Sequence, residues 1–150
     1  ANTLGAGEIN TASLGAVNAW VGTLTVGDTA ITESDQEDFG SVTLTIGGTT
    51  SAIFTQTVDI DGPTTRADVR LSFAMGAFSG SPTWTVTIES PTGTVRKSVS
   101  GNTKQEFMTV PSEITLASGP RNLTYRFSIT GATGSVTFNA RQGFVGQFKR

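Results

Sequence analysis

The sequence predicts an all-β fold, an antiparallel β-sandwich of the jelly-roll or immunoglobulin-like type that follows an extended N-terminal segment. First, apolar residues recur with period two from residue 42 onward, which is the spacing of strands with one buried face. Second, short clusters rich in Gly, Pro, Ser, Thr and Asn separate these runs. Third, Thr, Ser, Val and Gly dominate the chain, and helix formers do not recur at helical spacing. Many short strands separated by turns are typical of a sandwich.

The N-terminal segment, residues 1–31, has apolar residues at neither helical nor strand spacing. A chain that offers one apolar side chain per short extended piece cannot bury itself, but identical copies around a common axis can cover one another. We therefore expect an extended, intertwined stalk of a symmetric assembly. The residues expected at its interface are Leu4, Ile9, Leu14, Val17, Trp20, Val21, Leu24 and Val26.

An acidic stretch follows this segment. Glu33, Asp35, Glu37 and Asp38 crowd together without apolar partners, which is typical of a solvated connector. We place the domain boundary after it. Residues 1–40 are then the stalk segment with its linker, and residues 41–150 are the sandwich.

Within the sandwich, strands are predicted at 42–46, 52–60, 69–75, 84–88, 95–99, 123–129 and 136–138, with a last strand in the tail 141–150. Residues 108–116 are expected to form an edge strand, because Pro111 cannot donate to a ladder. Turns are predicted at 47–50, 61–65, 76–82, 90–93, 100–102, 117–122 and 131–134.

The composition excludes several kinds of chemistry. The chain has no His and no Cys, so the usual general base, imidazole ligand and thiol nucleophile are missing. We expect no enzyme, no catalytic residue, no cofactor and no metal site. A net charge of -2 without a basic stripe argues against nucleic acid as a partner. No run approaches the roughly 20 apolar residues that membrane insertion needs.

Paired carboxylates are the remaining route to catalysis, since glycoside hydrolysis needs two of them. The candidates are Asp59 with Asp61, Asp68, Glu89, Glu106 and Glu113. Asp59 and Asp61 are expected to cap a turn, with a weak calcium or sugar contact as the alternative. A calcium loop of the EF-hand type would need glutamate where Asp68 stands. Asp68 and Glu89 fall on the polar phase of their strands and are expected to face water.

Aromatic residues offer a second kind of site, because apolar sugar faces stack on exposed rings. Trp84 is in phase with Val86 and Ile88, so we favour packing of its ring in the core over exposure at a sugar-binding site. Trp20 is expected near the stalk axis. Phe78 stands in a Gly- and Ser-rich predicted loop, where it is either an anchor tucked onto the sandwich or an exposed contact residue.

The segment GEINTASLGAVNAWVGTLTVGDTAI, residues 7–31, resembles the stretch that precedes the terminal domain in central tail fibre proteins of long-tailed phages. These are tip attachment, or host-specificity, proteins of the lambda J type. Their repeated unit has the form "aIntAkIgdAaVdTLkIgdnAV". Corresponding residues here are Ile9, Leu14, Val17, Val21, Thr23, Leu24, Val26 and Ile31, and the ending GQFKR is similar to the family's termini. The resemblance covers about a fifth of the chain and one or two units.

The resemblance implies a homotrimer at the virion tail tip that acts outside the cell on a bacterial outer-surface receptor, either protein or glycan. It also implies a C-terminal fragment of a longer fibre or a small fibre-tip protein, and no catalytic residues. If hairpins alternate from strand 42–46, the loops at 47–50, 76–82, 100–104 and 131–134 fall at the end away from the stalk. The expected receptor-binding residues there are Phe78, Ser79, Ser81, Asn102, Thr103 and Lys104.

Two other functions fit the same sequence. A capsid decoration or other virion structural protein would also be all-β, trimeric and free of His and Cys chemistry. A carbohydrate-binding module or glycosidase fragment is motivated by Trp84, Phe78 and the carboxylates.

Overall fold

A computed structural model describes residues 33–148 and shows them as an antiparallel, all-β protein, which confirms the predicted fold class. The strands of this part of the chain are β1 (Glu33–Asp38), β2 (Val42–Thr45), β3 (Ser51–Gly80), β4 (Thr83–Glu89), β5 (Val95–Gly101), β6 (Met108–Thr130) and β7 (Gly134–Phe148). The predicted stalk and its interface residues lie outside the described residues, so they stay a prediction.

The strands pair as two layers joined through β3 and β6. In the first layer, the second half of β3 pairs with β7 on one side and with residues 108–117 of β6 on the other, and β7 also pairs with β1 and β2. In the second layer, residues 51–60 of β3 pair with β6 around 119–128, followed by β4 and then β5. β3 and β6 therefore run through both layers.

The crossing between the layers, which we call the corner, lies where turns are predicted at 61–65 and 117–122. The pairing register of β3 with β6 shifts between Ile60 and Thr64, and Gly119 opposite has a φ of 84°. A bulge bends a strand, and glycine adopts positive φ without steric cost. The turn-forming residues thus bend two strands that stay paired with each other, and the predicted chain reversals there are wrong.

The core lies between the two layers and is rich in aromatic rings. Phe73 and Phe138 from the first layer meet Trp84 and Phe127 from the second, with ring centroids 4.9 to 6.1 Å apart. All four side chains are buried. Burial of such a side chain contributes about 1.5–3 kcal/mol, and tilted ring pairs add to it. The apolar faces that the period-two pattern predicts therefore pack against each other in this core.

The acidic stretch forms a strand and not the solvated connector that the sequence predicts. Residues Glu33–Asp38 form β1, which pairs with β7 from Gln142 to Gln147, so they belong to the sheet and are not a free connector. The Asp35 carboxylate turns inward and accepts a hydrogen bond from Gln56 at 2.9 Å. Most other side chains of β1 are exposed, which explains their polarity. The described part of the sheet therefore includes Glu33–Asp38, which lie ahead of the predicted boundary after residue 40.

The link between β1 and β2 is fixed by a buried arginine. Arg141 is 1% exposed, donates from Nε to the Gly40 carbonyl at 2.9 Å and from Nη2 to the Phe39 carbonyl, and lies 3.7 Å from the centroid of the Phe54 ring. Burial lowers the pKa of Arg141 to about 10, and the charge of Asp38 opposes this. The ring and the two carbonyls replace part of the water that the guanidinium gives up, since Nη1 has no hydrogen-bond partner among the described residues.

Pro111 stands on an edge, as predicted. Residues 108–117 of β6 pair with β3 on one side, and within the described chain no strand pairs with their other side. Proline has no N–H to donate, so an edge is where it costs least.

Candidate functional site

The direction of the strands separates the sandwich into two ends. β1 begins and β7 finishes near the corner, beside the β4–β5 turn, and we call this side the corner end. The opposite side, which we call the loop end, carries the connections at residues 46–50, 81–82, 102–107 and 131–133. The described chain therefore enters at the corner end and gathers four connections at the other. These connections correspond to the four loops expected at the end away from the stalk.

Backbone hydrogen bonds tie the connection at residues 46–50 to the neighbouring strands β6 and β7. Ile46 donates its N–H to the carbonyl of Gly134 at 2.9 Å, and Ile129 donates to the carbonyl of Thr50 at 2.8 Å. Gly80 and Gly134 approach so closely that a Cβ on Gly80 would lie 2.7 Å from the Gly134 Cα. Gly80 also has a φ of 70°. Glycine is required at this contact for both its size and its conformation.

The longest connection, residues 102–107, is tied down at two points. The indole Nε1 of Trp84 donates to the carbonyl of Thr103 at 2.8 Å, and Met75 donates its N–H to the carbonyl of Gln105 at 3.0 Å. Trp84 is thus a core residue whose polar atom holds the loop, which confirms the core interpretation. A loop backbone held in this way loses less conformational entropy on binding than a free one does.

The structure gathers the six expected receptor-binding residues at the loop end. Five are exposed: Ser79, Ser81, Asn102, Thr103 and Lys104. Lys104 Nζ lies 3.5 Å from a carboxylate oxygen of Glu106, so the charge of this loop is balanced locally. A flexible surface pair of this kind contributes little stability.

Phe78 is placed differently from the loop that the sequence predicts. β3 continues through residues 76–80, and Phe78 pairs with Val136 of β7 and packs half-buried against the core. Ser79 Oγ lies 2.8 Å from Ser135 Oγ on the same two strands. Pairing with β7 overrides the weak local preference of Gly and Ser for a loop. The anchor interpretation of Phe78 therefore fits the structure better than the exposed one.

Phe107 is the exposed aromatic residue of the loop end that sequence reasoning missed. Its side chain is 65% exposed, whereas Met108 beside it packs against the core. Aromatic side chains at a protein surface are enriched in binding sites because they offer large contact area with few rotors. The signal was present in the sequence, since Phe107 follows five polar residues and precedes the strand phase set by Met108 and Val110.

Among the candidate carboxylates whose side chains the structure describes, Asp68, Glu89 and Glu113 are each engaged by an arginine. Glu89 is wrongly predicted to face water, because its side chain is 10% exposed and contacts Arg126 at 2.9 Å. Asp68 and Glu113 lie opposite each other on β3 and β6, but each is ion-paired, to Arg70 and Arg66 respectively. Glu106 is 91% exposed and Asp59 is also exposed. Nothing is described of the Asp61 side chain.

The part of the chain that the structure describes shows neither a metal centre nor a membrane-spanning helix. Among the side chains that the structure describes, which leave out residues 61–65, no three His, Cys, Asp or Glu lie together in a way that could hold a metal ion. The described residues also contain no helix long and apolar enough to cross a membrane.

Comparison with known proteins gives no family. No protein-family model matches the chain, and no curated protein sequence matches it either. Solved structures show distant likenesses. Dimeric latent PorU from Porphyromonas gingivalis matches over 83% of this chain and 14% of its own, at 6% identity and a TM-score of 0.47.

Two further solved structures are similar at the same low level. The carbohydrate-binding module CBM36, solved with calcium and xylotriose, matches over 77% of this chain and 98% of its own, at 15% identity and a TM-score of 0.38. A chain of the infectious bursal disease virus Gx strain matches over 85% of this chain and 41% of its own, at 9% identity and a TM-score of 0.35. None of these likenesses assigns a function to the chain.

Proposed function

We propose that this chain is a phage tail-tip receptor-binding domain that attaches to the bacterial host surface through its loop end. In this proposal the N-terminal segment holds three copies together in the virion, and the protein acts outside the cell without catalysis or cofactor. The observation that carries the proposal is the placement of all four loops at the end opposite to Glu33, where the described chain enters. A stalk that precedes Glu33 would leave the loop end facing away from the virion.

The loop end has the properties of a contact surface. Exposed hydroxyl and amide side chains of Ser81, Asn102 and Thr103 share the loop end with the exposed ring of Phe107. Small polar groups supply adaptable hydrogen bonds, and an aromatic ring supplies a contact anchor. Three such surfaces in one trimer would strengthen attachment well beyond the affinity of one copy.

The test is binding of the labelled full chain to whole bacteria, using a panel of strains with defined surface mutations. We expect binding to some strains and loss of binding when one surface component is removed. Phe107→Ala should weaken binding, because it removes the anchor from the surface. Val95→Ala is the matched control, since Val95 is 52% exposed but lies at the corner end.

Two outcomes would contradict the proposal. Binding to empty capsids and to no bacterium would favour a decoration protein. Equal loss of cell binding in the Phe107 and Val95 variants would remove the loop end as the contact surface.

A further inference from the structure

A cleft of about 190 Å³ opens at the corner end, between the β4–β5 turn and the bend of β6. Among the side chains that the structure describes, its lining includes Arg96 and Arg121 and no acidic residue. The whole chain carries a net charge of -2, so two cations that share one cleft without a carboxylate are a local departure from its composition. This cleft lies at the opposite end from the surface of the proposed function and does not depend on it.

Arg96 owes its position to a bulge. Ile88 pairs with Lys97 and Glu89 pairs with Val95, so Arg96 is the extra residue of β5. A bulge redirects the side chain of its extra residue. The adjacent carboxylate of Glu89 is engaged by Arg126, and the described residues give Arg96 no ion pair.

Arg121 is held in place by the bend of β6. Its Nε donates to the carbonyl of Ala117 at 3.0 Å, and its Nη2 donates to the carbonyl of Ser118. These bonds fix the plane of the guanidinium, and its other N–H groups stay available to a ligand. A fixed guanidinium loses less entropy when it binds an oxyanion than a mobile one does.

Hydroxyl groups and apolar surface complete the cleft. Ser90 is 3% exposed, its Oγ lies 2.9 Å from Thr92 Oγ1, and its N–H donates to the carbonyl of Thr94 at 2.8 Å. The turn is therefore preformed. Pro91 and Leu116 add apolar wall to the same lining. An inorganic ion would use the arginines alone, whereas a sugar ring would also cover the wall and reach the hydroxyls.

We propose that this cleft binds a small acidic sugar, with its carboxylate or phosphate on Arg96 and Arg121. Guanidinium groups bind planar carboxylates and phosphates through paired N–H donors. The ring then lies against Pro91 and Leu116, within reach of the Ser90 and Thr92 hydroxyls. No reaction takes place at the site.

The test is a titration of the isotope-labelled full chain, followed by nuclear magnetic resonance, with glucuronate, glucose 6-phosphate, glucose and inorganic phosphate. We expect the two acidic sugars to shift signals of the cleft, more strongly at low salt. Glucose should shift none of them, and inorganic phosphate should bind more weakly than glucose 6-phosphate. Equal binding of inorganic phosphate and glucose 6-phosphate would contradict recognition of the sugar ring. Failure of both acidic sugars to bind would contradict the binding site itself.

Variants locate the binding. Arg96→Ala should weaken the binding of glucose 6-phosphate about tenfold or more, since charge-assisted hydrogen bonds are lost. Thr92→Glu should weaken it similarly by placing an anion in the cleft while both arginines stay. Arg70→Ala is the control, because it removes an exposed arginine that does not line the cleft. Unchanged affinity in the Arg96 variant, with thermal melts showing all three proteins folded, would overturn the assignment.

Discussion

Tyr125 is a buried phenol whose hydroxyl makes a polar contact in the interior. Its hydroxyl donates to Gln56 Oε1 at 2.7 Å, and Gln56 in turn donates to Asp35. Burial raises the pKa of Tyr125 above its ordinary value, and the negative charges of Asp35 and Glu37 raise it further. The chain contains a single tyrosine, so its ionisation can be followed without interference from another phenol.

We predict that phenolate absorbance does not appear at the ordinary pKa of about 10 while the protein stays folded. The unfolded chain loses this proton near that pH and the folded chain keeps it, so the contribution of Tyr125 to stability falls as pH rises above 10. Arg141 acts in the opposite direction over the same range, because its pKa is lowered on folding. Absorbance therefore isolates the tyrosine better than a stability curve does.

The measurement is an alkaline titration of the folded chain beside the same titration in denaturant. The denatured sample should titrate near pH 10. Half-ionisation of the folded sample at that same pH would show that the phenol is not buried as described.

At the scale of one element, Phe73 of β3 holds the two layers together through contacts with three other rings. Phe73→Ala should lower the free energy of unfolding by about 3–5 kcal/mol, because the ring is fully buried and its loss leaves a cavity. Phe107→Ala removes the same side chain from a 65% exposed position and should change it by less than about 0.5 kcal/mol. Urea denaturation followed by tryptophan fluorescence gives both values, and similar losses in the two variants would contradict the core.

The bend at the corner depends on the backbone conformation of one glycine. Gly119 has positive φ, and a Cβ there would meet no atom within 4 Å, so backbone conformation alone resists substitution. Gly119→Ala should cost about 1 kcal/mol, and Gly119→Asn should cost less because Asn tolerates this conformation better. Equal effects of both substitutions on urea midpoints would mean that the conformation is not the reason for glycine at the bend.

The strands were predictable where their buried face shows period two, as at Val86 and Ile88 of β4 or Leu123 and Phe127 of β6. The bends in β3 and β6 were not, because Gly and Pro mark both reversals and bends, and only the partner strand decides between them. The strand β1 was not predicted for a similar reason. Its polar side chains conceal a ladder with β7 that backbone atoms alone make.

At the scale of the whole molecule, the loop end was predictable from hairpin alternation, because strand direction fixes which loops share an end. The corner preserves that order, since β3 and β6 cross between the layers together. The polar residues before Phe107 signal its exposure in the sequence. The arginine cleft has no such signal, because the meeting of Arg96 with Arg121 depends on contacts between residues distant along the chain.

The trimeric stalk of the proposed function makes a prediction about assembly. Leu14→Asp in the full chain would place three like charges near one axis, where their desolvation and mutual repulsion are costly. The variant should be monomeric while the sandwich, whose described core residues all follow Glu33, keeps the unfolding transition of the original chain. Leu14→Met is the matched control and should remain trimeric, because it conserves volume and polarity.

Light scattering on the three full-length proteins measures the assembly, and urea denaturation measures the sandwich. A monomeric original chain at micromolar concentration would contradict the trimer. A trimer that persists in the Leu14→Asp variant would show that Leu14 does not lie near the threefold axis. If the assembly and the sandwich failed together, the N-terminal segment would have to contact its own sandwich, since a stalk on sister chains can be lost without exposing the core that surrounds Phe73.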